Sequence, residues 1–243
     1  MKNKISIIGA GQVGATLAFM ILEKNIGDVV LVDVLEGLAK GKALDMMQAG
    51  DLLGFKNCIL GTEDYSHLSG SGIVVITAGM ARKPGMSRLD LLRKNSEIIS
   101  SVAGNVARHV PEAIIIVVTN PLDVMTYITY KKSNFPSSRV IGQAGLLDTA
   151  RFKYFMGLEC KVSQSDISTM ILGGHGDSMV PVISRTTVSG KPVTVILEKE
   201  AIELVIQKTR SGGAEIVLLL KTGSAYYSPA SSVLAMIEAV IND

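Results

Sequence analysis

Lys4-Ile5-Ser6-Ile7-Ile8-Gly9-Ala10-Gly11-Gln12-Val13-Gly14 is the stretch on which the fold turns. Its first five residues form a short, mostly apolar and β-branched run, which reads as a strand buried on both faces. Three glycines follow in the order G-x-G-x-x-G, and the composition then changes to helix formers through Leu22. Strand, glycine turn and helix in that order predict free N–H groups at a helix start, a place that holds a pyrophosphate. A competing reading takes Lys2 and Lys4, followed by eighteen uncharged residues from Ile5 to Leu22, as a signal peptide or membrane span. The glycines, Gln12 and the lack of an A-x-A cleavage site favour strand, turn and buried helix.

Working outward, Asp33 ends the next apolar run, Val29 to Val32, and lies 19 residues after Gly14. A carboxylate there can accept hydrogen bonds from adenosine ribose hydroxyls and repels a 2'-phosphate, which predicts NAD rather than NADP as cofactor. Ile73 to Thr77 and Ile114 to Val118 are further apolar runs, and a helical pattern from Leu89 to about Val110 carries Leu92, Ile99, Val102 and Val106 on one face. Strands alternating with helices predict an α/β, Rossmann-type, doubly wound parallel sheet over residues 1–142. From 143 to 243 the pattern changes to an α+β arrangement. A helix is expected from Leu146 to Gly157, and strands around Ile167 to Leu172 and Val180 to Ser184. Two more helices are expected at Glu200 to Lys221 and Pro229 to Ile241, the last with Ser228 as N-cap.

With 24 Lys+Arg against 22 Asp+Glu, the net charge of +2 gives no field that draws the chain to nucleic acid. Cys58 and Cys160 stand alone, without a C-x-x-C or a histidine at ligand spacing, and read as reduced thiols of a cytoplasmic protein without a metal site.

Proton transfer in a reaction at physiological pH needs a base that changes charge near neutrality, and histidine fits. Of the three histidines, His175 sits between glycines, in Gly173-Gly174-His175-Gly176-Asp177-Ser178, whereas His67 and His109 lie in a polar loop and near a helix end. Asp148 and Asp177 are both candidates to orient its ring. The arginines of Ala81-Arg82-Lys83-Pro84-Gly85-Met86-Ser87-Arg88 read either as a solvated basic loop or, given Gly79, Pro84 and Gly85, as a lid that carries them onto a substrate.

These segments, with Thr119-Asn120-Pro121 and Leu147-Asp148-Thr149-Ala150-Arg151, resemble the motifs of the lactate/malate dehydrogenase family along the whole chain. The resemblance implies reversible hydride transfer between malate or oxaloacetate and NAD. It assigns His175 as the base, Asp148 as its orienting partner, Arg151 to the substrate C1 carboxylate and Arg88 to the substrate carbonyl. Arg82 pairs with the second carboxylate in the family's malate enzymes, where lactate enzymes typically carry glutamine. Asn120 resembles the residue that bonds substrate or nicotinamide, although a helix cap is an equally good reading, and its bond to Pro121 is a candidate cis peptide. The implied cofactor contacts are Gly9, Gly11, Gln12, Val13, Gly14, Asp33, Thr77, Ala78, Gly79, Asn95, Val118 and Asn120. Ser224 and Ala225 resemble a small-residue wall beside the substrate, or are ordinary helix packing.

Family members continue past the position of Asp243 with further strands and a long helix, so the chain is expected to be C-terminally truncated, with an uncovered edge and apolar surface. The alternatives are a truncated NAD-binding fragment with little activity and a lactate-type 2-hydroxyacid dehydrogenase. Relatives are usually homodimers or homotetramers. Leu218 stands where a polar residue is expected.

Overall fold

The structure, a computed structural model, describes residues 3–80 and 87–242, and of Arg88 the backbone alone. The chain divides into two units: residues up to Gln143 together with those from Tyr226 onward, and Ala144–Ala225.

In the first unit, β1 (Lys4–Ile8), β2 (Asp28–Val32), β3 (Ile59–Thr62), β4 (Ile73–Ile76), β5 (Ile114–Val117) and β6 (Val140–Gly142) form one sheet in the order β3-β2-β1-β4-β5-β6. Every pairing is parallel. The strands pass through α1 (Gln12–Glu23), α2 (Leu38–Gln48), α3 (Gly50–Leu53), α4 (Arg88–His109) and α5 (Leu122–Ser133). Strand order reverses between β1 and β4, and loops at the carboxyl ends of these two strands flank the crevice in which such sheets bind ligands. Apolar runs without alternation make this possible, because Ile5, Ile7, Val75 and Ile116 are all buried to within 0% exposure.

The sequence pattern missed β3 and β6. At Gly61 in β3 a Cβ would collide with the Ala39 backbone, so a helix crosses the strand closely there, and Leu60 beside it is exposed. An edge strand with a glycine at its centre loses the apolar pattern that marks its neighbours. β6 is only three residues long. The start of α4 is set locally: the Ser87 hydroxyl accepts from the Asp90 N–H while the Asp90 carboxylate accepts from the Ser87 N–H, a capping box.

The second unit contains α6 (Gly145–Cys160), β7 (Ile167–Ser168), β8 (Ile171–Gly173), β9 (Met179–Pro181), β10 (Thr187–Val188), β11 (Lys191–Pro192), α7 (Val193–Ile196) and α8 (Lys199–Leu220). Strands β11-β10-β7 form one antiparallel sheet and β8-β9 a separate hairpin. The single strand expected over Ile167 to Leu172 is therefore two strands in different sheets, split where the Thr169 and Thr186 hydroxyls bond each other at 2.7 Å. Phe152, Met156, Ile171 and Val205 are buried in this unit's core.

α9 (Tyr227–Asn242) packs with the first unit, where Ala230, Val233, Leu234 and Ile237 join Leu17, Ala18 and Ile21. The sequence division at 142/143 places this helix in the second part of the chain, and its apolar face packs on the first unit's core. It also starts earlier than expected: the Ala230 N–H bonds the Tyr226 carbonyl, so Ser228 and Pro229 lie inside the first turn. Leu218 is 78% exposed, and nothing in the structure explains it. No helix among the described residues is long and apolar enough to cross a membrane.

Candidate active site

The glycine turn is built by backbone contact. Gly9 has a φ of +111°, and a Cβ there would lie 2.7 Å from the Ala78 nitrogen. At Gly14 a Cβ would collide with the Gly9 carbonyl. These two glycines are required by the fold itself. Gly11 differs, since a Cβ there meets nothing within 4 Å. Protein packing does not explain it, whereas close approach of a pyrophosphate does. Gly11 is also the N-cap of α1, with no side-chain cap and no acid in the first turn, so the N–H groups of Gln12 and Val13 and the positive helix end are left for an anion.

Asp33 braces this turn, its Oδ2 accepting from the Ala10 N–H at 2.6 Å and its Oδ1 from the Leu35 N–H at 3.0 Å. Each oxygen keeps a lone pair for a ribose hydroxyl. Lys42 of α2 donates to the Ala10 carbonyl at 2.7 Å, so the two sides of one peptide residue are held by opposite charges. The sequence reading missed Lys42, because one lysine in a helix carries no signal of what it reaches. Thr77, at the end of β4, donates to the Ile8 and Gly9 carbonyls, which ties the turn to the neighbouring strand. The residues present therefore fit a dinucleotide: an open glycine, an uncapped helix start and a carboxylate at the end of β2.

Beyond β4 and β5, Ala78, Gly79, Val118 and Asn120 lie on two adjacent segments. Thr119 donates to the Ala78 carbonyl at 2.7 Å, and a Cβ at Gly79 would lie 2.5 Å from the Thr119 methyl. The Asn120–Pro121 peptide is cis, and the exposed Asn120 side chain makes no hydrogen bond among the described residues. Asn95 of α4 is buried at 1% exposure, and its amide engages Met80 and the Asn120 carbonyl. Arg82 lies outside the described residues. Arg88 opens α4, and its side chain also lies outside them.

In the second unit, α6 and the β8-β9 hairpin bring Asp148 and His175 together across 27 residues of sequence. His175 Nδ1 lies 2.9 Å from Asp148 Oδ2, and Asp148 is 1% exposed. Asp177 is exposed, so Asp148 is the carboxylate on the ring. Gly173 at φ +87° and Gly176 at φ +99° turn the chain on either side of the histidine. The Thr149 hydroxyl accepts from the Ile171 N–H at 2.9 Å and so fixes β8 to the helix turn that carries Asp148.

Arg151 is one turn further along α6, its Nη1 3.5 Å from Asp148 Oδ1. Burial pulls the guanidinium pKa below its ordinary value, Asp148 opposes that shift, and the group stays charged. Asp148 Oδ1 and Arg151 Nε are buried without hydrogen-bond partners among the described residues. A partly buried cation with an unused donor suits an anionic ligand. Gly212 of α8 lies against the Phe155 ring, which a Cβ would approach to 3.3 Å, and Gly213 faces Arg151, whose Nη2 a Cβ would meet at an ordinary contact distance of 3.5 Å. A glycine pair inside a helix is costly, and that was the available signal for these two missed residues. Ser224 and Ala225 fall in the connection between α8 and α9, not in a helix.

Comparison with known proteins also divides the chain in two, as consecutive parts with α9 in the second. The family described as lactate/malate dehydrogenase, NAD binding domain, matches residues 3–142, and its alpha/beta C-terminal domain matches residues 146–243. A malate dehydrogenase of Roseiflexus sp. (strain RS-1) is 54% identical over 243 residues, which is 100% of this chain and 79% of that protein. The malate dehydrogenase of Staphylococcus carnosus (strain TM300) is 51% identical, with 100% and 78% covered. Among solved structures, a Cryptosporidium parvum malate dehydrogenase superposes with a TM-score of 0.96 at 45% identity, covering 100% of this chain and 79% of that one. A lactate dehydrogenase from the same organism, complexed with lactic acid and nicotinamide adenine dinucleotide, gives 0.96 at 40% identity, with 100% and 78% covered. A glycine turn with its aspartate, a paired histidine and aspartate, and matches to both parts of one family lead to one conclusion: the chain belongs to the lactate/malate dehydrogenase family.

Proposed function

We propose that this chain catalyses the reversible, NAD-dependent interconversion of malate and oxaloacetate. The observation that carries the reading is the 2.9 Å contact between Asp148 and His175, with Arg151 beside it. A carboxylate on Nδ1 fixes the proton there and leaves Nε2 as the acceptor. In the oxidation direction, Nε2 takes the hydroxyl proton of malate as the C2 hydrogen leaves with its electron pair, and Asp148 stabilises the imidazolium that forms. Bound NAD supplies the hydride acceptor. In the reverse direction, the imidazolium returns its proton to the carbonyl oxygen of oxaloacetate.

Arg151 holds the C1 carboxylate in this reading, its planar fork matching two oxygens. Arg88 and Asn120 bind the reacting oxygen, and charge on Arg88 stabilises negative charge developing there. Arg82 pairs with the second carboxylate and makes the site a dicarboxylate site. The first unit holds the cofactor through Gly9 to Gly14 and Asp33. The enzyme works as a homo-oligomer in the cytoplasm.

NADH absorbance, followed after mixing the chain with NADH and oxaloacetate or pyruvate, tests this directly. Rapid loss with oxaloacetate and little with pyruvate is expected. Loss with pyruvate alone favours a lactate-type enzyme, and no loss with either, from a folded sample that binds NADH, overturns the proposed activity. The Arg82→Gln variant should lose oxaloacetate preference by at least about tenfold, since it removes the partner of one charged group. Unchanged preference removes Arg82 from specificity.

A further inference from the structure

Within the glycine turn, every backbone polar group of Gly9 and Ala10 is held by protein. The Gly9 N–H donates to the Val32 carbonyl at 2.7 Å, and the Gly9 carbonyl accepts from the Thr77 hydroxyl at 3.0 Å. The Ala10 N–H goes to Asp33 at 2.6 Å, and the Ala10 carbonyl accepts from Lys42 Nζ at 2.7 Å. The next donor along the chain, the Gly11 N–H, has no partner among the described residues. The Ala10 carbonyl and the Gly11 N–H are opposite ends of one planar peptide group, so whatever holds the first aims the second. Lys42 holds it.

The base from which Lys42 reaches is itself fixed. α2 lies close on β3, where a Cβ at Gly61 would collide with the Ala39 backbone, and both Ala39 and Ala43 are buried. Glu63 secures the start of the same helix, accepting from the Gly37 N–H at 2.9 Å and pairing with Lys40 at 2.6 Å. A half-buried lysine on such a support delivers its ammonium to one carbonyl, and a charged donor makes a stronger bond than a neutral one. Withdrawing charge from that carbonyl also strengthens the N–H at the other end of the peptide as a donor.

We infer that Lys42 is a positioning residue for the pyrophosphate of the cofactor: it holds the Ala10 carbonyl from the α2 side and so turns the Gly11 N–H and the uncapped start of α1 towards the ligand. It acts through the Ala10–Gly11 peptide and not by its own contact with a phosphate. The inference rests on the dinucleotide site and not on the malate chemistry proposed above.

Three ligands and two variants test it. Lys42→Met keeps most of the length of the stem and removes the charged donor. Its dissociation constants for NADH, by fluorescence titration, and for ADP-ribose, by competition, should rise about tenfold, while that for adenosine, which carries no phosphate, stays within about twofold. Lys42→Arg returns a charged donor and should recover NADH affinity to within about threefold of wild type. Equal losses for adenosine and ADP-ribose in Lys42→Met would mean a site loosened in general and overturn the inference, as would unchanged affinity for ADP-ribose. The wild-type complex with ADP-ribose needs no variant to fold: Lys42 Nζ on the Ala10 carbonyl, with the start of α1 on the pyrophosphate, upholds the inference, and Nζ on a phosphate oxygen overturns it. A wild-type chain that binds ADP-ribose but turns over no oxaloacetate removes the proposed activity alone, and the variants still decide the role of Lys42. One that binds neither NADH nor ADP-ribose removes the inference.

Discussion

The glycine turn of the first unit and the histidine cluster of the second are opposite kinds of site. The turn is contiguous in sequence and made of backbone: Gly9 and Gly14 are demanded by close packing, Gly11 is left open, and the working groups are N–H groups at the start of α1. The cluster is made of side chains, with Asp148 and Arg151 on α6 and His175 on the β8-β9 hairpin. The first is built on the shape of the backbone at two positions, while the second is built on the chemistry of three side chains. Binding and reaction should therefore fail separately.

Replacing His175 is the largest test of that separation. His175→Asn should lower malate oxidation about a hundredfold to ten-thousandfold, the usual share of a general base, while fluorescence titration finds NADH affinity within about threefold. Loss of NADH binding in step with activity would break the comparison. Arg151→Lys keeps the charge but loses the planar fork, and kcat/KM for oxaloacetate should fall about tenfold to a hundredfold, mostly through KM. Steady-state kinetics against oxaloacetate read this, and an unchanged KM would take Arg151 off the carboxylate.

The glycines sharpen the other half. Gly14→Ala forces a methyl group against the Gly9 carbonyl and should cost about 1–3 kcal/mol of stability in urea unfolding. Gly11→Ala meets no atom, should keep stability within about 1 kcal/mol, and should weaken NADH about tenfold by filling the approach. Equal effects on stability would erase the distinction between fold glycine and ligand glycine. Smallest is Asp33→Ser, for which the ratio of NADP to NAD turnover should rise about tenfold once the carboxylate no longer repels a 2'-phosphate. The same variant loses the bond to Ala10, so NADH affinity should also fall, and an unchanged cofactor ratio would reduce Asp33 to a brace of the turn.

Much of this was legible before any coordinates. Strands β1, β2, β4 and β5 follow apolar runs that need no partner to be recognised, and α4 shows its apolar face through Leu92, Ile99, Val102 and Val106. These are local signals, because strand and helix periodicity are set by neighbours in the chain. β3 was hidden because Gly61, placed under α2, interrupts its pattern. Asp148 and Asp177 were equal candidates by chemistry, and only family resemblance chose between them.

Sequence alone determined the glycine turn, the aspartate that follows the second strand, and a histidine set between glycines, since each is a matter of residue type at short spacing. Tertiary structure decided which carboxylate meets His175, that α9 packs with the first core, and that Lys42 reaches the Ala10 carbonyl. Those are contacts between elements distant in the chain, and no periodicity records them, because each depends on where a folded backbone brings a side chain and not on the neighbours it has in sequence.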